Sequence, residues 1–386
     1  MMYFDLMYVN EKYGSVGVDF TTNDRGERTY TYSNLKITNP NLVPFLVDPK
    51  LNTEFWLQIR ATMNNTDSTW SNLRNHGYEL NDIEYLFKNF WISTDDGYWC
   101  RPEVLPDLQY EDIALDNYMV LMPVIPYSEY HLKGPYTEVD INNVKLRWDY
   151  TLKSPEFQKA YMFKRSWQAI NELVARFVHE KQKSNGDVLP IEIKEVIPDK
   201  DRIILVSPNF VKDNCDIVYG YQLFDDSSAE SRGTQFFKNV SKYFKIPGDD
   251  IQAYWDYLVM LDFVLSNSDR AGQNYGIQKS RVTGNSEFLP GYDYERSMGY
   301  EEYKQMELIK DEPKDYQERV KKMLFERDTY KLFSVKDKNV LNLDALPTGE
   351  EIHDFYMQYD FNTMTEEQID FAVEIYEYKK NYLKNM

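Results

Sequence analysis

The sequence predicts an α+β fold in two lobes behind an N-terminal extension, and three observations predict it. Short β-like runs and turn clusters fill the first half of the chain, whereas helical apolar spacing dominates the second, a segregation that marks α+β architecture. At 386 residues and 46.0 kDa the chain can bury about three-quarters of its unfolded surface, enough for a large core without staples. With 42% hydrophobic residues, 28% charged residues, 16 Gly and 16 Pro, it is neither disordered nor fibrous. The expected divisions are an extension over 1–110, a β-rich lobe over 111–210 and a mainly helical lobe over 211–386.

Each element follows from local pattern. Runs at 30–32, 35–37 and 55–58 read as short strands, separated by turn clusters such as Asn23-Asp24-Arg25-Gly26 and Thr38-Asn39-Pro40-Asn41. Residues 1–80 match no recognisable arrangement. A strongly apolar stretch at 118–126 ends in Pro and Gly-Pro breaks. Residues 144–150 and 159–163 read as strands around Lys153-Ser154-Pro155. Residues 166–181 read as a helix, because Trp167, Ile170, Leu173, Val174, Phe177 and Val178 follow helical spacing. Strands are expected at 191–197 and 202–206. A long helix then runs to Leu265, with Asp249 or Asp250 as N-cap and an apolar stripe of Ile251, Tyr254, Trp255, Leu258 and Val259. A polar loop over 266–273 leads into a hairpin of 275–278 and 287–289 turned at Thr283-Gly284-Asn285. From Tyr300 the chain is charged and helical, breaks at Pro313 and ends in a helix at about 366–383.

Charge excludes several roles. Lys plus Arg total 44 against 63 Asp plus Glu, a net charge of −19 that repels phosphate backbones and anionic lipid. Direct nucleic-acid binding and membrane-surface binding are therefore not expected. A nucleotide ligand remains compatible, because a divalent cation bridges carboxylates to phosphates. Cys100 and Cys215 make no CxxC, and four scattered His residues give no zinc spacing. The start of the chain has no basic region followed by an apolar one, and the most apolar stretch, 254–265, is interrupted by Asp256 and Asp262. A soluble protein of a reducing, cytoplasmic compartment is the expectation.

The loop after the long helix carries the chemistry: Ser266-Asn267-Ser268-Asp269-Arg270-Ala271-Gly272-Gln273-Asn274. Asp269 and Asn274 are five residues apart, and Asp293 follows Asp269 by 24, beyond a hairpin that folds the chain back. Phosphoryl transfer uses such a set. One carboxylate orients the attacking hydroxyl and takes its proton, while an amide oxygen and a second carboxylate hold Mg²⁺ on the nucleotide phosphates. A D-x4-N match alone is expected by chance roughly twice in a chain this rich in Asp and Asn, and turn-forming residues after a helix explain it equally. Asp262 reads as a brace for the loop below it, and Arg270 as a residue that fixes the loop through a carboxylate.

In order, these segments resemble the HipA-like Ser/Thr protein kinases. Asp262, Asn267-Ser268-Asp269-Arg270, Asn274, the hairpin and Asp293 resemble the family's catalytic and metal-binding segments. Tyr161-Met162-Phe163-Lys164 followed by Asn171-Glu172 is similar to its lysine strand and glutamate helix. Ile203-Ile204-Leu205-Val206-Ser207-Pro208-Asn209-Phe210 resembles the strand entering the interlobe hinge. Ser93-Thr94-Asp95-Asp96-Gly97-Tyr98-Trp99 is similar to a segment of the CtkA-like subgroup. The resemblance spans roughly 85–350 and implies a bilobal protein-kinase-like fold.

It implies roles as well. Asp269 would be the catalytic base, with Asn274 and Asp293 as Mg²⁺ ligands. Lys164 would contact the α/β-phosphates of ATP, Glu172 would hold Lys164, and Ser207 and Phe210 would line the nucleotide site. The bland alternatives are an exposed strand residue for Lys164 and a solvated helix face for Glu172. Three departures stand out: Ala271 occupies the family's usual His position, Glu295 stands where a small residue is common, and no Gly-rich loop precedes Lys164. A non-glycine turn at Lys153-Ser154-Pro155-Glu156 would cover the phosphates instead, making Ser154 a candidate autophosphorylation position. The implied activity is Mg²⁺-dependent transfer from ATP to Ser or Thr of a protein, a basic one given the −19 charge. The alternatives are a pseudokinase acting as a binding module, or a kinase-fold enzyme with a non-protein substrate. An antitoxin-type partner and a secreted-effector role are both compatible with the resemblance.

Overall fold

Along Met2–Tyr8 (β1) Phe4 and Leu6 turn inward, are fully buried and give the first strand its core face. The computed structural model describes residues 1–22, 28–47, 53, 56–57, 96–113, 125–126, 135–136, 161–182, 195–199, 202–208, 214–358 and 364–386. β1 pairs antiparallel with Glu11–Thr22 (β2), which pairs with Arg28–Ile37 (β3). On its other edge β1 takes Tyr98–Pro102 (β4), with Phe4 opposite Pro102 and Tyr8 opposite Tyr98. The order β3-β2-β1-β4 encloses Phe4, Leu6, Tyr13, Val16, Val18 and Cys100, and Trp56 and Leu57 close that core. Trp56 and Leu57 are helical, so the strand expected at 55–58 is not formed there. Burying an indole against a sheet face outweighs the weak β preference of a four-residue run.

Farther along, Tyr161–Arg165 (β5), Glu195–Asp199 (β6) and Arg202–Pro208 (β7) form a second antiparallel sheet in the order β5-β7-β6. Lys164 stands opposite Leu205, and Met162 opposite Ser207. β5 passes directly into the helix Ser166–Glu180 (α1), close to the expected bounds. The strand expected at 144–150, the turn around Ser154, the side chains of Lys164 and Ser207, and all of Phe210 lie outside the described residues.

Cys215–Tyr219 (β8), Gly276–Ser280 (β9) and Ser286–Phe288 (β10) make a third sheet in that order. The hairpin is the expected one, displaced by a residue; Gly284 at its turn has φ 72°, a conformation suited to glycine. Gly276 meets a different demand, since a Cβ there would lie 2.4 Å from the Val218 carbonyl oxygen of the neighbouring strand. Between β8 and β9 come Arg232–Phe244 (α2) and Gly248–Val264 (α3). The N-cap of α3 is Pro247, not Asp249 or Asp250; both aspartates sit in the first turn, where they still face the positive end of the helix dipole.

Tyr300–Leu308 (α4), Lys314–Phe325 (α5), Gly349–Gln358 (α6) and Glu366–Lys384 (α7) are the described α-helices after β10. Pro313 is the N-cap of α5, and Thr365 with Gln368 makes a capping box on α7. The largest core joins α1 (Ile170, Val174, Val178), α3 (Tyr257, Leu261, Val264) and α7 (Ile369, Ile375, Tyr376). α3 is buried on nearly all sides, so its Asp256 must be satisfied internally; Gln252 and the backbone N–H groups of Lys336 and Asp337 donate to it.

The N-terminal sheet is fastened to the third sheet through Asp216. Its carboxylate accepts from the Tyr8 hydroxyl at 2.6 Å, the Gly97 N–H at 3.1 Å and Arg281 Nε at 2.7 Å. A second fastening pairs Val47 N–H with the Gln222 carbonyl, and Phe45 stands edge-on to Phe244. Among the described residues no helix is long and apolar enough to cross a membrane.

Candidate functional site

The site begins where α3 ends. Ser266 leaves the helix with φ 51°, in the left-handed region that costs a non-glycine residue energy. Two neighbours hold it there: Lys379 of α7 donates to Ser266 Oγ at 3.1 Å, and Met298 N–H donates to the Leu265 carbonyl at 2.6 Å. Asn267 then turns back, giving its amide to Asp262 Oδ1 at 2.9 Å and accepting from Asp269 N–H at 3.2 Å.

Arg270 organises the rest. Its guanidinium makes a two-pronged pair with Asp262, Nε to Oδ2 at 2.9 Å and Nη2 to Oδ1 at 2.8 Å, with both side chains nearly buried. Its Nη1 donates to the carbonyls of Asn274 at 2.8 Å and Tyr292 at 2.6 Å. The guanidinium also lies over the Tyr294 ring, 4.6 Å from its centre. Burial works against this charge, but the Asp262 carboxylate beside it more than compensates and holds the guanidinium ionised. Asp262 and Arg270 thus brace the loop, in the roles their sequence context gives them.

One nitrogen touching both carbonyls brings Asn274 and the Tyr292–Asp293 peptide together across the hairpin. Asn274, fully buried, donates Nδ2 to the Asp269 carbonyl at 2.6 Å, which fixes the orientation of its amide. The Tyr292 hydroxyl donates to the Gln273 carbonyl and ties the same two segments again. Asp293 has φ 64°, a left-handed conformation that Asp tolerates better than most residues. Asp269, Asn274 and Asp293 therefore share one small region. The side-chain oxygens of Asn274 and Asp293 are hard donors of the kind Mg²⁺ takes alongside retained water.

α1 supports this region from behind with two adjacent buried residues. Glu172 accepts the Tyr294 N–H at 2.7 Å. Asn171 donates to the carbonyls of Glu295 at 3.0 Å and Ser297 at 2.9 Å, and accepts from the Tyr356 hydroxyl at 2.9 Å. Glu172 thereby anchors the segment after Asp293, a task its sequence context does not indicate. Asn171 stands in the helix motif beside Glu172, but its partners, like those of Tyr356 and Lys379, lie more than a hundred residues away and no motif indicates them.

Lys379 is almost fully buried beside Glu302, Asp328 and Arg327, and burial pushes its ammonium down to about 8 despite the two carboxylates. The ordinary value is 10.5, so between about 8 and 10.5 the folded chain has released a proton that the unfolded chain still holds. Stability from this group is complete above 10.5 and is lost as the pH falls through about 8. Urea unfolding from pH 7.5 to 9.5 should therefore show a rise on the order of 1–2 kcal/mol that Lys379→Met lacks. Equal slopes in the two proteins would remove Lys379 as the source.

Comparison with known proteins returns little. No protein-family model matches the chain, and no curated protein matches it. Among solved structures, the chain is similar to the Helicobacter pylori proinflammatory kinase CtkA, at 12% identity and a TM-score of 0.41, over 58% of this chain and 87% of that one. A second likeness is to HipA in the complex of the Shewanella oneidensis MR-1 toxin–antitoxin system with HipB and its operator DNA. There the identity is 12% and the TM-score 0.43, over 99% of this chain and 97% of that one. At such identity and scores, the loop's own geometry decides what the site can do.

Proposed function

We propose that the chain is a HipA-like, ATP- and Mg²⁺-dependent kinase that phosphorylates Ser or Thr of a protein. The observation that carries the reading is the double donation from Arg270 Nη1, which gathers Asn274 and the Asp293 segment beside Asp269. In this reading Asp269, its carboxylate one-third exposed, orients the acceptor hydroxyl and takes its proton. Asn274 Oδ1 and the Asp293 carboxylate would hold Mg²⁺, which supplies charge neutralisation on the β- and γ-phosphates when bound. Lys164, Ser207 and Phe210 complete the nucleotide site as proposals resting on the sequence resemblance.

The −19 charge favours a basic acceptor, and an antitoxin-type protein is the partner the reading suggests. A non-transferring binding module is the second reading, favoured by the lack of a Gly-rich stretch before Lys164. One experiment separates them. Purified protein given Mg²⁺ and γ-labelled ATP should label itself or a lysate protein, and mass spectrometry of that reaction reads whether Ser154 carries phosphate. Thermal stabilisation by Mg·ATP without any transfer would establish the binding module instead.

A further inference from the structure

We infer that Arg296 is a catalytic residue that binds the transferred phosphoryl group; this rests on the proposed kinase reading and adds a residue to it. Arg296 Nε lies 3.6 Å from Asp269 Oδ2 and 3.7 Å from Glu301 Oε1 in the first turn of α4. Both distances exceed hydrogen-bonding range, and among the described residues its guanidinium donates no hydrogen bond. A planar cation with five donors is thus held beside the proposed base, suspended between two carboxylates.

Its backbone, by contrast, is pinned at every step. Asn171 holds the Glu295 and Ser297 carbonyls, Ser268 Oγ donates to the Arg296 carbonyl at 3.3 Å, and Met298 N–H is bonded to Leu265. Met298 and Gly299 both have positive φ, at 56° and 74°, which turns the chain sharply into α4. Among the described residues the guanidinium has only its two long ion pairs. Arg270, the other guanidinium of the loop, is committed to Asp262, Asn274 and Tyr292 and has no such freedom. A tetrahedral phosphoryl group entering beside Asp269 offers Arg296 paired oxygen acceptors and more negative charge than one carboxylate.

The step balances without further reactants. The acceptor oxygen bonds to the γ-phosphorus while the bond to the β,γ-bridging oxygen breaks, ADP leaves with that electron pair, and Asp269 takes the hydroxyl proton. Arg296 is unchanged and offsets charge on the three equatorial oxygens, where it is worth most in the transition state.

The test is a binding measurement on the whole chain. Wild type should bind Mg·ADP much more tightly when aluminium fluoride, which mimics the phosphoryl group in flight, is added. Arg296→Gln should weaken the aluminium fluoride complex about 100-fold and leave Mg·ADP alone within about twofold. Arg296→Lys should recover part of the loss, since it keeps the charge without the planar fork. The residue is one-third exposed and its ion pairs are long, so both variants should melt as wild type does. If the variants gain as much from aluminium fluoride as wild type, Arg296 has no such role and the kinase reading stands. If wild type itself gains nothing, the kinase reading falls and takes this inference with it.

Discussion

Asp269→Asn should lower phosphoryl transfer by about 10³-fold while leaving the protein folded, because it removes the proton acceptor and little else. The loop uses the Asp269 backbone, not its carboxylate: Asp269 N–H is bonded to Asn267, and its carbonyl to Asn274. The carboxylate is one-third exposed, and its closest cation, Arg296, stands at 3.6 Å. An amide of the same shape keeps the backbone bonds and loses an ion pair worth little at such exposure. Single-turnover transfer of labelled phosphate is the measurement, with a thermal melt as control. Transfer within about tenfold of wild type would remove Asp269 from the chemistry.

Arg270→Met should destabilise the fold by about 3–5 kcal/mol in urea unfolding, the largest stability effect expected at the site. The cost is the uncompensated Asp262 carboxylate, buried with its two-pronged partner gone, together with two carbonyls that lose their donor. Arg270→Met combined with Asp262→Leu should recover part of this loss, because apolar replacement of both partners removes the stranded charge. Recovery stays incomplete, since Asn267 also donates to Asp262. A loss below about 1 kcal/mol for Arg270→Met would mean that the pair does not hold the loop together.

Legibility in the sequence followed the distance between partners. The hairpin of β9 and β10, the break at Pro313 and the helix 366–384 were readable because each is specified by neighbours within a few residues. Asp262 and Arg270 were readable as braces because they are eight residues apart, on the helix and loop that they join. The first sheet was not. β1 finds β4 some 95 residues away, and no local pattern announces that Phe4 will face Pro102. The partner of Glu172, the Tyr294 N–H 122 residues downstream, was not legible. Arg296 carried no signal at all, since what marks it is a pinned backbone that exists only after folding.

The lysine that steadies Ser266 has a consequence for the order in which the protein is made. It lies 113 residues after the serine it holds. On a ribosome adding about 5–20 residues per second, the loop emerges roughly 6–23 seconds before its prop. A nascent chain therefore carries the loop chemistry without the geometry. Until α7 has docked, the loop lacks the side chain that holds Ser266 in its left-handed turn, so its final geometry is a late product of synthesis.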